Sequence, residues 1–149
     1  MLMLEGMREF GSAEFNTYFD HCFDIAPPYE GAELLQAYAR RSTYLRNWQV
    51  FLSDYPLVLT PFLLQPTYAH ARDYEGREGA EDIMLKAFYS FAMNYMGLPA
   101  GNVPANYNDG LPVGVQIVGR RFREDMILDA CEAIEDRVGV MAHRLFERG

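Results

Sequence analysis

The chain has 149 residues, which suits one compact domain, and 50% of them are hydrophobic. Ten Phe, ten Tyr and one Trp supply the volume for a packed core. A net charge of −8 argues against a phosphate-backbone binder, and no run of about 18 apolar residues suggests a membrane span, so neither nucleic acid nor membrane is expected as a partner.

Met1 to Gly11 reads as a loose lead-in, and its acidic, interrupted pattern is a poor signal peptide. Ser12 to Phe23 follows, with Phe15, Tyr18, Phe19, Cys22 and Phe23 on one helical face. Ser12 is its candidate N-cap, and Pro27-Pro28 ends it because proline cannot continue the hydrogen-bond ladder. Cys22 and Cys131 are far apart and both sit at helical core spacing. They read as buried thiols without a disulfide, in a reducing cytoplasm.

Glu30 to Asp54 is a long helix with Leu34, Tyr38, Leu45, Trp48 and Leu52 as its apolar stripe. Arg40, Arg41 and Arg46 lie largely off that stripe. Two readings of them stay open: a solvated face, or a pairing of one arginine with acidic groups of a missing domain. Leu57 to Thr60 is a short apolar strand stopped by Pro61. Loops beyond strand ends are where α/β proteins place ligand contacts. The loop from Pro61 to Arg77 is therefore the candidate substrate-facing wall, and it holds Phe62, Gln65, Tyr68, His70 and Tyr74. Phe62, Gln65 and Tyr68 are the candidate substrate-binding residues, since a pocket wants apolar walls with a few placed polar groups. Ordinary loop packing is the competing reading of the same three.

Gly79 to Tyr95 reads as one further helix, with Ile83, Met84, Ala87, Phe88, Phe91, Ala92 and Tyr95 clustered on one side. Gly97 and Pro99 terminate it. A second strand is expected around Gly101 to Val103. A tight turn at Asn108-Asp109-Gly110 precedes a third over Val113 to Val118, inside the run Pro112 to Gly119. The periodicity then becomes helical through Ile127, Leu128, Cys131, Ile134 and Val138, with Gly139 as the stop. The tail from Val140 to Gly149 is expected to form a short helix carrying His143 and Arg144. The resulting class is α/β: short strands of a mixed sheet flanked by amphipathic helices, in one domain over residues 1–149.

Several chemical signals fail on spacing. Gly114 and Gly119 have the separation of phosphate-loop glycines, but Arg120-Arg121 follow where Lys-Ser/Thr belongs. His21 and Cys22 are neighbours on a helix, so their side chains diverge by roughly 100°. His21, His70 and His143 are scattered and lack metal-ligand spacing, so no metal or other cofactor is expected. Glu124-Asp125, Glu132 and Glu135-Asp136 read as helix-terminal and solvated charges.

One ordered set of motifs does point to a family. Gly97-Leu98-Pro99-Ala100, then Pro104, then Gly110 to Gly119 with its Gly-Leu-Pro-Val-Gly-Val-Gln run, lead to an acidic helix start at Glu124-Asp125. Upstream, Trp48, Phe51, Leu52, Tyr55 and Leu57-Val58-Leu59-Thr60-Pro61 form a helix and strand end of the same style. Together they resemble the C-terminal end of the amidase signature family, serine hydrolases of amides, over roughly Leu34 to Arg137. That resemblance implies a Ser nucleophile, a Ser in a cis peptide and a Lys, with the serines in or beside a Gly/Ser-rich segment. Here the serines are Ser12, Ser42, Ser53 and Ser90, none in such a loop, and the one lysine is Lys86. No position matches the triad, so no catalytic residue is assigned.

The resemblance thus implies a C-terminal amidase fragment that supplies strands, packing helices and part of a substrate-cleft rim. Its partner would be the missing N-terminal amidase portion, or another copy of itself, and the intact enzyme would take a small-molecule amide. The other reading is a non-enzymatic interaction or structural module that reuses the fold.

Overall fold

A computed structural model describes residues 2–146; of Leu2, Met3, Arg144 and Leu145 it describes the backbone alone. Among the described residues, seven helices and three strands follow in the order α1 (Leu2–Phe10), α2 (Ala13–Ile25), α3 (Gly31–Asp54), β1 (Leu57–Thr60), α4 (Gly76–Lys86), α5 (Phe88–Met96), β2 (Ala100–Asn108), β3 (Leu111–Gly119), α6 (Glu124–Val138) and α7 (Met141–Phe146). The class is α/β, as the sequence implies. Among the described residues the sheet has the order β1-β3-β2, and every pairing is antiparallel.

The hairpin of β2 and β3 turns on Asp109 and Gly110, both at positive φ (50° and 82°). Two consecutive left-handed residues match the right-handed twist of the flanking strands. β2 runs further than the expected Gly101 to Val103. The register shift between Pro104 and Asn106 absorbs a proline that could not donate to a regular ladder. β3 is the central strand, and its alternation separates two cores. Val118 joins Leu52, Met93, Met96 and Leu98 on the face covered by α3 and α5. Ile117 joins Val103 and Ile127 on the face covered by α6.

Glycines let α6 lie close to the sheet. A methyl group on Gly101 would meet Ile127 Cγ2 at 2.7 Å, and one on Gly119 would meet Ile127 Cδ1 at 2.9 Å. The N-terminal layer is separate: α2 packs on α4 and on a short 3-10 turn at Arg72–Tyr74. Ser12 caps α2 as expected, its hydroxyl accepting from the Phe15 N–H at 3.2 Å.

Several expectations need correction. Leu2–Phe10, expected to be loose, is helical, and Arg8 pairs with Asp20 of α2 at 2.6 Å. The single helix expected over Gly79 to Tyr95 is two, broken at Ala87. The break follows from diverted carbonyls. Lys86 C=O accepts from the Leu64 N–H at 2.9 Å, and Ile83 C=O accepts from the Tyr68 hydroxyl at 3.2 Å as well as from Ala87 N–H. The kink re-phases α5, so Met93 and Met96 are buried in the core while Phe88 and Phe91 are exposed, and Tyr95, half-exposed, reaches α3 with its hydroxyl donating to the Ala37 carbonyl at 2.8 Å. Leu34 and Tyr38 of α3 and Leu128 of α6 are likewise exposed, although their spacing placed them on buried stripes. The tail helix forms as α7, with His143 exposed. Met1, the Arg144 side chain and residues 147–149 lie outside the described residues.

Candidate functional site

At one end of the sheet the three strands place polar residues side by side. Thr60 of β1 and Asn102 of β2 both pair with Gln116 of β3. Gln116 is two residues from Val118 and so points to the α5 face. Polar side chains are rare in the middle of a buried strand unless they have partners. Gln116 is 2% exposed, and its Nε2 donates to Thr60 Oγ1 at 3.4 Å.

Above this row lies a cleft of about 150 Å³ lined by Phe62, Ser90, Asn94, Asn102 and Gln116, with Met93 and Leu98 at its apolar base. Three of those residues carry a carboxamide, with two N–H donors and one carbonyl acceptor; one donor of Asn94 is spent on the Ser90 carbonyl at 2.9 Å and one of Gln116 on Thr60, which leaves a donor and the acceptor on each. The cleft can therefore hold a ligand that carries the same donor–acceptor pair against an apolar, aromatic wall. No charged side chain is among its lining residues; Lys86 pairs with Asp82 at 4.0 Å, and Arg72 bridges Glu75, Glu78 and Asp82. The hydroxyls of Ser42 and Ser53 donate to the Tyr38 and Gln49 carbonyls of their own helix. Among the described residues no group of three or more His, Cys, Asp or Glu is placed to hold a metal ion.

The three loop residues singled out from the sequence separate in space. Phe62 lines the cleft. Tyr68 turns towards α4, and burial, reinforced by the negative charge of Asp82, raises its phenol pKa above the usual value. Gln65 is half-buried in the loop and is not among the residues lining the cleft. Sequence reasoning passed over Asn94, Asn102 and Gln116. The available signal was Gln116 itself, a lone amide inside the Val-Gly-Val-Gln-Ile-Val run.

Arg41 also departs from the solvated-face reading. Its Nε donates to the Tyr95 carbonyl at the end of α5, and Arg121 Nε donates to the Gly97 carbonyl at 3.2 Å. Cations favour that end of a helix because its carbonyls are unsatisfied.

Residues 8–128 match the family model described as Amidase. An indoleacetamide hydrolase of Bradyrhizobium japonicum is 42% identical over 114 residues, which is 76% of this chain and 24% of that protein. A glutamyl-tRNA(Gln) amidotransferase subunit from Streptococcus equi subsp. zooepidemicus is 31% identical over 76% of this chain and 22% of its own length. The crystal structure of the corresponding glutamyl-tRNA(Gln) amidotransferase subunit from Thermotoga maritima superposes over 92% of this chain and 26% of its own, with a TM-score of 0.50 at 23% identity. The chain thus spans about a quarter of the length of the relatives it matches.

Proposed function

The chain belongs to the amidase family, and on that premise we propose that it is one segment of an amide hydrolase. In this reading it contributes β1, β2 and β3 to the enzyme's sheet, its helices to the supporting layers, and the Phe62–Asn94–Asn102–Gln116 cleft to the substrate rim. The observation that carries the reading is the row Thr60–Gln116–Asn102 under that cleft. Side-chain amides at a sheet end complement a substrate amide, donor to acceptor and acceptor to donor.

The reacting groups come from elsewhere in the enzyme. Lys86 is held by Asp82, and among the described residues Ser90, the serine at the cleft, is paired with no base that could take its proton. The remaining portion would supply the Ser–Ser–Lys set and the oxyanion donors. The identity to indoleacetamide hydrolase favours a small primary carboxamide on an aromatic carrier, with Phe62 as the apolar contact. Both cysteines are free, which suits a cytoplasmic enzyme. The complementary portion of the amidase is the partner; without it, copies of this chain associate through the unpaired edge of β1.

The test is hydrolysis of indoleacetamide by the chain alone and by the chain co-expressed with the complementary portion of the indoleacetamide hydrolase. Turnover is expected only in the second case. A complex that forms but never turns over any amide would favour a purely structural module instead.

A further inference from the structure

Arg41 and Arg121 come from elements far apart in the chain, yet they meet over the C-terminus of α5. Each spends its Nε on a backbone carbonyl, Tyr95 for Arg41 and Gly97 for Arg121. Their outer nitrogens converge: a methyl group on Gly97 would lie 3.0 Å from Arg41 Nη2 and 3.2 Å from Arg121 Nη2. Gly97 carries none, so a small space stays open between two guanidinium forks. Among the described residues no carboxylate pairs with either arginine, although the chain carries 21 Asp and Glu against 13 Lys and Arg. The Tyr95 and Gly97 carbonyls take only the Nε–H groups, which leaves the outer nitrogens as donors, and a carboxylate accepts from such forks at about 2.8 Å.

The same place borders an apolar surface. Arg41 lines a largely aromatic groove of about 500 Å³ with Tyr29, Tyr38, Tyr44, Tyr95 and Arg40, whose guanidinium lies 5.9 Å from the centre of the Tyr29 ring. Tyr44 and Tyr95 also line the adjoining groove of about 400 Å³ with Phe88 and Phe91. The two grooves form one aromatic trough along α3 and α5, with the guanidinium pair at its side. Aromatic residues and arginine are the side chains that anchor protein interfaces.

We propose that Arg41 and Arg121 form a carboxylate clamp that locks an Asp or Glu side chain of the remaining portion of the enzyme, whose apolar flank fills the trough. The assignment of that occupant rests on the amide-hydrolase reading; the clamp itself rests on the geometry alone. Three quarters of the relatives' length lies outside this chain, which supplies a partner of the required size.

Two measurements test it. In the first, the arginine Nε–H signals of the full chain are followed by NMR as glutarate is added, with chloride of equal ionic strength as the reference. Arg41 and Arg121 are expected to shift together and saturably, while Arg46 on the same α3 does not. Shifts no larger than those in chloride overturn the clamp, whatever the fate of the amidase reading. In the second, the chain is co-expressed with the complementary portion of the indoleacetamide hydrolase. The Arg41→Gln/Arg121→Gln variant is expected to bind at least about tenfold more weakly than the unaltered chain, since two charge-assisted hydrogen bonds are lost. Arg46→Gln is expected to bind as before, and circular dichroism checks that each variant folds. Undiminished binding by the folded double variant overturns the assigned occupant. Failure of the unaltered chain to bind overturns that occupant and the amidase reading together.

Discussion

Gly101 faces Ile127 across the gap between β2 and α6, and an added methyl group there would lie 2.7 Å from Ile127 Cγ2 and 3.3 Å from Cys131 Sγ. Gly101 also pairs with Ile117 in the ladder, so the strand has no room to retreat without disturbing β3. Gly101→Ala is expected to destabilise the chain by about 1–3 kcal/mol, the usual cost of overpacking. A urea midpoint measures it. Ile127→Ala removes the Cγ2 atom itself, so the Gly101→Ala/Ile127→Ala double variant is expected to lose less stability than the two single variants added together.

The Thr60–Gln116 pair predicts a different pattern. Gln116→Leu alone strands the Thr60 hydroxyl beside a buried apolar group, at a cost of about 1–3 kcal/mol. Thr60→Val together with Gln116→Leu replaces both partners and is expected to regain most of that stability. If the amides bind substrate, the restored stability does not restore function. The complemented double variant would melt near the unaltered enzyme yet show a KM raised about tenfold, the loss of one hydrogen bond to substrate.

Much of the architecture was legible because local signals agreed. Asp109-Gly110 fixed the hairpin, Gly97 and Gly139 fixed two helix ends, and the β-branched residues of β3 fixed its extended form. The kink at Ala87 was not legible, because its cause is the Leu64 N–H reaching Lys86 across a loop. Nor was Arg41, whose role depends on where α5 happens to end. Phe62 could be named from its place after a strand; Asn94 and Asn102 could not, since only the fold brings them to the same cleft.

Cys131 predicts an alkaline weakness. Burial, reinforced by the negative charge of Glu135, raises its thiol pKa in the folded chain. A raised folded pKa gives a contribution that is intact below the unfolded thiol's value and is lost as pH rises through the folded one. Stability should therefore fall as pH rises past the ordinary thiol range, about 8.5. The urea midpoint of the Cys131→Ala variant is expected to fall less above that pH than that of the unaltered chain, though it starts lower because a packed side chain is lost. An equal fall in both would assign the alkaline loss to other groups.

Arg72 ties the 3-10 turn to α4 through Glu75, Glu78 and Asp82. Arg72→Met is expected to change global stability little, because its carboxylate partners Glu75 and Glu78 are solvated. Its local effect should be larger. Hydrogen exchange in α2 and α4 is expected to quicken, while the β2–β3 hairpin stays protected.

The most direct measurement is steady-state hydrolysis of indoleacetamide by the purified chain, before and after it joins the complementary portion of an amidase. No ammonia above the buffer rate is expected from the chain alone, and turnover is expected to appear with the complex. Hydrolysis by the isolated chain that vanishes in Ser90→Ala would contradict this outright, by placing the nucleophile inside these residues.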